Sequence, residues 1–278
     1  MISLYHSVSK ECSKLVTNRY STSFSMGIRL FDKKFRAPIY SIYGFVRFAD
    51  EIVDSFHGFD KKTLLEVFRK DTFTAIQAGI SLNPILHSFQ EVVNDYCIDA
   101  DLINAFLESM EMDLYNKEYN QSEYEKYIYG SAEVVGLMCL KVFTKGNEPE
   151  YLRLIDPACA LGSAFQKINF LRDIKSDFEE RGRVYFPNVD FNNFSRSEKE
   201  LIEEDIQKDF DAGLEGIKQL PKGARKGVYL AYVYYTNLFK KICNSSAKSV
   251  SEERIRVRNR KKLYLLATSS IKNRLNLI

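Results

Sequence analysis

Apolar side chains recur at helical spacing along most of this chain, and this pattern restricts the fold more than any other feature. In the segment PIYSIYGFVRFADEIVD, for example, Ile39, Ile42, Val46 and Val53 follow the spacing of one helix face. Hydrophobic residues make up 45% of the sequence, with only 13 Gly and 6 Pro, so a large core is expected. Because no repeat or linker-like segment interrupts the pattern, we predict an all-α fold in one domain, residues 1–278.

The predicted helices are separated by breaks with local causes. Pro38 suits a first helical turn, residues 81–84 suit a connection, and Pro221 suits the start of another helix. Between residues 181 and 195, Gly, Pro and Asn cluster and the periodicity is lost, which predicts a loop of a length that often carries function. The predicted helices cover residues 2–17, 36–56, 59–78, 84–96, 100–116, 121–144, 148–159, 160–179, 197–219, 222–246 and 261–276.

Composition argues against several classes of function. The formal net charge is only +3, so the overall field does not indicate nucleic-acid binding. The three histidines lie far apart in the sequence, which gives no local support to a zinc site or a Ser-His-Asp triad. The N-terminal segment lacks the apolar core of a signal peptide, and no stretch approaches the roughly 18 apolar residues of a membrane span. The five cysteines form no CxxC pair, which indicates a reducing compartment. We expect a cytoplasmic protein that could touch the inner face of a membrane.

Asp50 lies within the apolar stripe of its predicted helix. It follows Val46 by four residues and precedes Val53 by three, so its carboxylate would point into the interior. Burying an ionised carboxylate is costly unless a cation or strong donors compensate it. This position therefore favours a cavity beside the helix.

Other polar residues accompany Asp50 on that helix. Asp54 is one turn further along, and Arg47 and Tyr43 are on the turns before it, so these side chains can line a common edge. The alternative is a solvated helix end, in which Asp50 pairs with Arg47 while Glu51 and Asp54 face water. We favour the cavity because of the placement of Asp50, and we expect Glu51 to point elsewhere.

A second polar stripe lies in GSAFQKINFLRDIKSDFEERGR. Gln166, Asn169, Asp173 and Asp177 are spaced so that four oxygen-bearing side chains share one helix face. An ordinary solvated face would also have this spacing. The same face, however, carries Phe170 and no lysine, which is unusual for a fully exposed surface.

Two facing carboxylate helices would suit Mg²⁺, which prefers oxygen ligands and typically bridges carboxylates to substrate phosphates. A diphosphate is the natural ligand of such a site. Arginines beside the two stripes could neutralise its remaining charge through bidentate contacts. These arginines are Arg47, Arg172, Arg181 and Arg183.

Six linked motifs run through nearly the whole chain. They are YSTSF at 20–24, IYGFVRFADEIVD at 42–54, SMEMDL at 109–114, YIYGSAEVVG at 127–136, GSAFQKINFLRDIKSD at 162–177 and RGRVYFP at 181–187. In this order they resemble the squalene and phytoene synthases, which join two prenyl diphosphates head to head. The resemblance implies a class I isoprenoid-synthase fold, a helical bundle around a central cavity with two aspartate-rich helices at its mouth.

The resemblance also implies residue roles. Binding of diphosphate through Mg²⁺, or Mn²⁺ as an alternative ion, would fall to Asp50, Asp54, Asn169, Asp173 and Asp177, accompanied by Gln166. Contacts with the substrate or its diphosphate would come from Tyr43 and Arg47, and Ser21 and Phe24 would belong to a flexible segment covering the site. Tyr127 and Val135 would line the tunnel.

The activity expected from the resemblance is that of a phytoene synthase acting on two geranylgeranyl diphosphates without NADPH, because the motifs look closest to bacterial carotenoid-pathway enzymes. The alternative is a squalene or dehydrosqualene synthase acting on two farnesyl diphosphates.

There are two weaker alternatives: a non-catalytic relative, and a basic module that binds membrane or nucleic acid through residues 254–262. We therefore expect no nucleic acid and no obligate protein partner. The sequence departs from many relatives at Glu133, where glycine is common, and in lacking a tyrosine shortly before Arg254.

Overall fold

The computed structural model describes residues 2–189, 193–252 and 254–255, without the side chains of residues 180 and 181. Helices form almost all of this part, and its only bridge of strand type joins Glu118 to Val184, so the all-α prediction is confirmed. The helices are α1 (Ile2–Tyr20), α2 (Thr22–Leu30), α3 (Lys33–Ser55), α4 (Lys61–Ala78), α5 (Pro84–Tyr96), α6 (Ala100–Tyr115), α7 (Gln121–Ile128), a π-helical turn (Tyr129–Glu133), α8 (Val134–Thr144), α9 (Glu148–Arg181), α10 (Arg196–Gln219), α11 (Lys222–Cys243) and α12 (Ala247–Glu252).

Side-chain caps begin several of these helices where the sequence predicts a break. Asn83 caps α5, and its Oδ1 accepts hydrogen bonds from the backbone N–H groups of Ile85 and Leu86 at 3.0 and 3.4 Å. Asn120 and Ser195 each form a capping box with the glutamate three residues later. The connection at residues 81–84 and the helix after it are therefore confirmed.

One helix was not predicted, and two predicted boundaries are wrong. Residues 22–30, for which no helix was predicted, form the nine-residue helix α2. Helix α3 begins at Lys33, so Pro38 lies inside it rather than in its first turn. The segments predicted as 148–159 and 160–179 form one continuous 34-residue helix, α9. The predicted helix 261–276 and most of the basic segment 254–262 lie outside the described residues.

Helix α9 is the central element of the bundle. It contacts α7, α8, α10, α11 and α12, as well as the π-helical turn. A stack of phenylalanines fills the core on the side of α3 to α6, where the ring of Phe45 lies 4.0 Å from that of Phe89 and 5.4 Å from that of Phe106. In the part of the chain covered by the structure, no helix is long and apolar enough to cross a membrane.

The π-helical turn lies in close contact with α6 because of Gly130. A Cβ atom at this position would lie 2.4 Å from the carbonyl oxygen of Ala105 and 2.7 Å from Cβ of Ser109. A methyl group at Gly136, by contrast, would meet its nearest neighbour, the carbonyl oxygen of Ala158, at 3.4 Å. The two glycines therefore test the same change in a crowded and in an open environment.

We predict that Gly130→Ala lowers the free energy of unfolding by about 1–3 kcal/mol, because the added methyl group forces the turn away from α6. Gly136→Ala should leave it unchanged or raise it by up to about 1 kcal/mol, since alanine favours helix. Urea unfolding followed by circular dichroism measures both. Equal effects of the two substitutions would contradict this account of the crossing.

Candidate active site

A cavity of about 470 Å³ runs through the bundle between α2, α3, α8, α9, α10 and α11. Its wall follows α9 from Leu154 to Arg172, a distance of about 27 Å at 1.5 Å per residue. Most of the wall is apolar, and its polar side chains lie mainly toward the end where α2 begins. The volume is that of a typical small-molecule site.

The cavity wall contains seven of the residues predicted from the sequence as site residues. Ser21 caps α2 and accepts a hydrogen bond from the backbone N–H of Phe24 at 3.2 Å, so this segment is helical. The rings of Phe24 and Tyr43 lie 5.3 Å apart across the wall. Burial raises the pKa of Tyr43, which keeps its phenol neutral. The seven residues are Ser21, Phe24, Tyr43, Val135, Gln166, Asn169 and Arg172.

Arg47 lies one turn beyond the cavity wall on α3 and contacts both carboxylates that follow it. Its Nη1 donates to Asp50 and its Nη2 to Glu51. The guanidinium also lies over the ring of Tyr20, 4.4 Å from the ring centroid. Although burial raises the pKa of Glu51, hydrogen bonds from Ser55 and Arg47 lower it below its ordinary value. Arg47 therefore pairs with two carboxyl groups at the mouth of the cavity.

The predicted inward position of Asp50 is wrong. Its side chain is 33% exposed, whereas Ala49 and Val53 are buried. Asp50 thus lies at the edge of the apolar face, where the Arg47 guanidinium can reach it. The ion pair considered as the alternative for this helix is present, and Glu51 takes part in it rather than pointing elsewhere.

The second polar stripe lies along α9 as predicted. The Asn169 amide donates to Oε1 of Gln166 at 3.4 Å, and the Tyr235 hydroxyl donates to Oδ1 of Asn169 at 3.1 Å. One turn further along, Nε of Arg172 lies 3.1 and 3.0 Å from the two carboxylate oxygens of Asp173. Carboxamide, carboxylate and guanidinium groups therefore follow one another along this face toward the mouth.

Arg183 connects the two acidic stripes. Its Nη1 lies 3.3 Å from Oδ1 of Asp54 on α3, and its Nη2 donates to the backbone carbonyl of Asp113 on α6 at 2.8 Å. Its backbone N–H donates to the carbonyl oxygen of Asp177 at the end of α9 at 2.8 Å. One residue of the loop predicted at 181–195 thus contacts both Asp54 on α3 and the backbone of Asp177 on α9.

The Asp113 carboxyl group lies in a buried ring of hydroxyl donors. The Tyr127 hydroxyl donates to Oδ2 at 2.8 Å, and the hydroxyls of Tyr119 and Tyr185 donate to Oδ1 at 3.4 and 3.3 Å. Burial raises the pKa of Asp113 to about 7, against the opposing effects of Arg183 and of the Tyr127 hydrogen bond. Asp113 therefore changes its charge near neutral pH.

Two predicted site residues remain, Tyr127 and Arg181. Tyr127 is buried among aromatic side chains, with its ring 5.1 Å from that of Tyr185, so its predicted place in the tunnel is wrong. The hydroxyl of a buried tyrosine needs a hydrogen-bond partner, and Asp113 supplies it. The side chain of Arg181 lies outside the described part of the structure.

Three residues near the mouth were not predicted as site residues. Asp113 belongs to the SMEMDL motif, but only the tertiary contact with Arg183 gives it a role. Tyr235 contacts Asn169 from α11, and Nε of Arg254 lies 2.7 Å from Oδ1 of Asp173. Arg254 begins the basic segment 254–262, which was considered from the sequence only as a binding module.

By their chemistry, the oxygen-bearing side chains of the two stripes suit a hard divalent cation. The two stripes present the carboxylates of four aspartates together with the amide oxygens of Asn169 and Gln166, and such all-oxygen sets suit Mg²⁺ and Mn²⁺. The buried Nε of Arg47 has no hydrogen-bond partner within the described residues, which fits an anionic oxygen at this place. Together, these side chains suit a cation that is bound to a phosphate group.

We predict that Asp113→Asn removes a pH dependence of stability. The pKa of Asp113 in the folded state lies above its unfolded value, so the folded protein is favoured at low pH and loses this contribution as pH rises from about 4 to about 7. Between pH 5 and pH 8 this effect should lower the unfolding free energy of the wild type by roughly 2 kcal/mol, and the Asn variant should lack that loss.

Urea unfolding at both pH values measures this difference, with Asp71→Asn on the exposed face of α4 as the matched control. If the wild type and Asp113→Asn respond equally to pH, the buried position does not titrate in this range.

Sequence comparison identifies relatives of the chain. The family model for squalene/phytoene synthase matches residues 17–261. The phytoene synthase of Arthrospira platensis is 27% identical, in an alignment that covers 96% of this chain and 94% of that protein. The 15-cis-phytoene synthase of Pantoea ananas is 30% identical over 77% of this chain and 68% of that protein.

Solved structures share the fold. A dehydrosqualene synthase superimposes with a TM-score of 0.80 at 18% identity and covers 96% of both chains. The squalene synthase HpnC from Alicyclobacillus acidocaldarius gives a TM-score of 0.77 at 20% identity, over 87% of this chain and 95% of that one. The family resemblance of the motifs and the isoprenoid-synthase fold are thereby confirmed. The chain belongs to the squalene/phytoene synthase family of prenyltransferases.

Proposed function

We propose that this protein is a phytoene synthase. It joins two geranylgeranyl diphosphates head to head, through a cyclopropyl diphosphate, and releases diphosphate to form phytoene in carotenoid biosynthesis. The observation that carries the proposal is the carboxylate and guanidinium mouth on a long apolar cavity, which suits a prenyl chain with a diphosphate head. The relatives named as phytoene synthases support the choice of product.

The polar mouth would bind the diphosphate. In this proposal the four aspartates of the two stripes and Asn169 hold Mg²⁺, which when bound would offset the negative charge that develops on the departing diphosphate. Arg47 and Arg172 flank these carboxylates and would donate hydrogen bonds to phosphate oxygens. Arg183 fixes the position of Asp54 and therefore orients the first stripe toward the second.

The apolar wall would protect the allylic cation that remains after diphosphate leaves. Water would quench such a cation, and the side chains lining the interior are mostly hydrocarbon. The rings of Phe165 and Tyr235 stack with centroids 4.1 Å apart, and both lie on this wall. Their faces carry negative charge density that stabilises a nearby cation.

The alternative within the family is a synthase that uses two farnesyl diphosphates. The solved structures with a similar fold include a squalene synthase and a dehydrosqualene synthase, which keeps this alternative open. The two substrates differ only in tail length, so the mouth does not distinguish them. NADPH is not expected for the phytoene reaction, whereas squalene formation requires a reductant.

The identity of the product tests the proposal. The purified protein is incubated with Mg²⁺ and either farnesyl or geranylgeranyl diphosphate, with and without NADPH, and the hydrocarbons are identified by mass. A C40 product with three conjugated double bonds, formed without NADPH, is the expected result. A C30 product formed in preference would overturn the choice of substrate.

We predict that Asp50→Asn lowers turnover at least about 100-fold, because one charged ligand of the cation is lost where charge develops. Asp71→Asn, the same change on an exposed face of α4, should leave turnover unchanged. Both variants should unfold at the same urea concentration as the wild type within error. Full turnover by Asp50→Asn would argue against an enzymatic role of the first stripe.

We further propose a cytoplasmic enzyme that touches the membrane surface, since its substrates and product are lipids. Exposed aromatic side chains near the mouth, including Phe59 in the loop after α3, support this contact. Co-sedimentation with vesicles of anionic phospholipid tests it, and we predict weaker binding by Phe59→Ser than by Leu82→Ser at the opposite end of α4. Protein that stays in the supernatant at physiological salt would contradict the contact.

A further inference from the structure

We propose that the rings of Phe31 and Phe143 form the closed end of the cavity and set the longest prenyl tail that this protein accepts. The inference rests on the proposed function, because it specifies the tail length at the same site. It assigns that choice to two residues outside the six linked motifs. The argument uses the direction of the helices, the burial of the cavity end and the contacts that hold Phe31.

The helices that line the cavity place Phe31 far from the carboxylates. Helix α2 leads from Ser21 near the mouth to Phe31, and α3 leads from Asp50 back to Ile39. Along α9, the end of the wall opposite Arg172 is Leu154. The three inner residues, Phe31, Ile39 and Leu154, all line the cavity and are buried.

The inner end of the cavity is closed by aromatic and aliphatic side chains. The ring centroids of Phe31 and Phe143 lie 5.1 Å apart at an angle of 57°. Leu220 lines the same end from the segment after α10. Because these three side chains are no more than 7% exposed, the cavity stops here and does not open to solvent.

The Phe31 ring occupies space that only a glycine leaves open. A Cβ atom at Gly227 of α11 would lie 2.2 Å from Cε1 and 2.4 Å from Cδ1 of Phe31. The ring therefore lies directly against the α11 backbone. It cannot move toward α11 to make room for a longer tail.

Backbone hydrogen bonds also hold Phe31 in place. The backbone N–H of Phe31 donates to the carbonyl of Ile28 at 3.1 Å, and Nε of Arg36 donates to the carbonyl of Phe31 at 2.8 Å. The next residue, Asp32, donates its N–H to the carbonyl of Gly223 on α11 at 2.9 Å. The end of α2 is thus tied to the start of α11.

Phe35 provides a matched control for these rings. It is fully buried and meets Phe143 edge-on, with ring centroids 5.6 Å apart, but it does not line the described cavity. Replacing Phe35 removes the same aromatic atoms from the same cluster. Only Phe31 and Phe143 should change the space available to a substrate.

The test compares Phe31→Leu, Phe143→Leu and Phe35→Leu with the wild type on farnesyl, geranylgeranyl and geranylfarnesyl diphosphates. The measured quantity is the ratio of kcat/KM for the next longer substrate to that for the substrate the wild type prefers. A hydrophobic pocket discriminates about 10–200-fold per methylene group, so each cavity variant should raise this ratio at least about 10-fold. Phe35→Leu should leave it within about 2-fold.

The outcome separates this inference from the proposed function. If the wild type prefers farnesyl diphosphate, the phytoene assignment fails, and a shift of the cavity variants toward geranylgeranyl diphosphate still supports the closed end. If the ratio stays constant in the cavity variants, or rises equally in Phe35→Leu, the closed end is overturned. If the wild type shows no turnover, binding is measured instead by calorimetry with unreactive thio-diphosphates of the three tail lengths. The ratio of their Kd values then replaces the ratio of kcat/KM.

Thermal melts confirm that each variant is folded before its ratio is interpreted. If Phe31→Leu does not fold, Phe143→Leu and the near-isosteric Phe31→Met carry the same comparison, because a methionine side chain can bend away from a longer tail. An unchanged ratio in these folded variants overturns the inference equally.

Discussion

The contact between Arg183 and the buried Asp113 carboxylate holds the mouth of the cavity together. The Arg183 side chain reaches Asp54 on α3 and Asp113 on α6, and its backbone N–H donates to the carbonyl of Asp177 on α9, so one residue contacts both acidic stripes. A buried carboxylate is unfavourable alone, but here three tyrosine hydroxyls and a guanidinium satisfy it. Without this contact, the loop after α9 would not keep the two stripes in register.

The site separates charge from hydrocarbon along a single cavity. At the mouth, arginines lie beside every stripe of carboxylates, which limits repulsion among the acids and leaves donors for an anion. Further inside, Phe165 and Tyr235 give way to the closely packed rings around Phe31. This division suits a ligand with a negatively charged diphosphate head and a long apolar tail, which is the substrate class of the family.

Local periodicity accounts for the parts that could be predicted from the sequence. The helix containing Asp50 and the polar stripe from Gln166 to Asp177 both have the predicted character, because spacing along a helix is set by its own geometry. Predictions that needed knowledge of neighbouring elements were less accurate. Asp50 lies at the edge of the apolar face instead of inside it, and Tyr127 lies in a buried cluster instead of the tunnel.

The amino-acid order alone determines three things: that the elements are helices, the order of polar groups along α3 and α9, and the family. Each of these depends on residues close together in the chain or on shared motifs. Contacts between distant segments decide the rest. They determine how the two stripes face each other, how Asp113 is buried and how Phe31 closes the cavity against Gly227. Such contacts are decided by the packing of whole helices, because a side chain's burial is a property of what surrounds it and not of its neighbours in sequence.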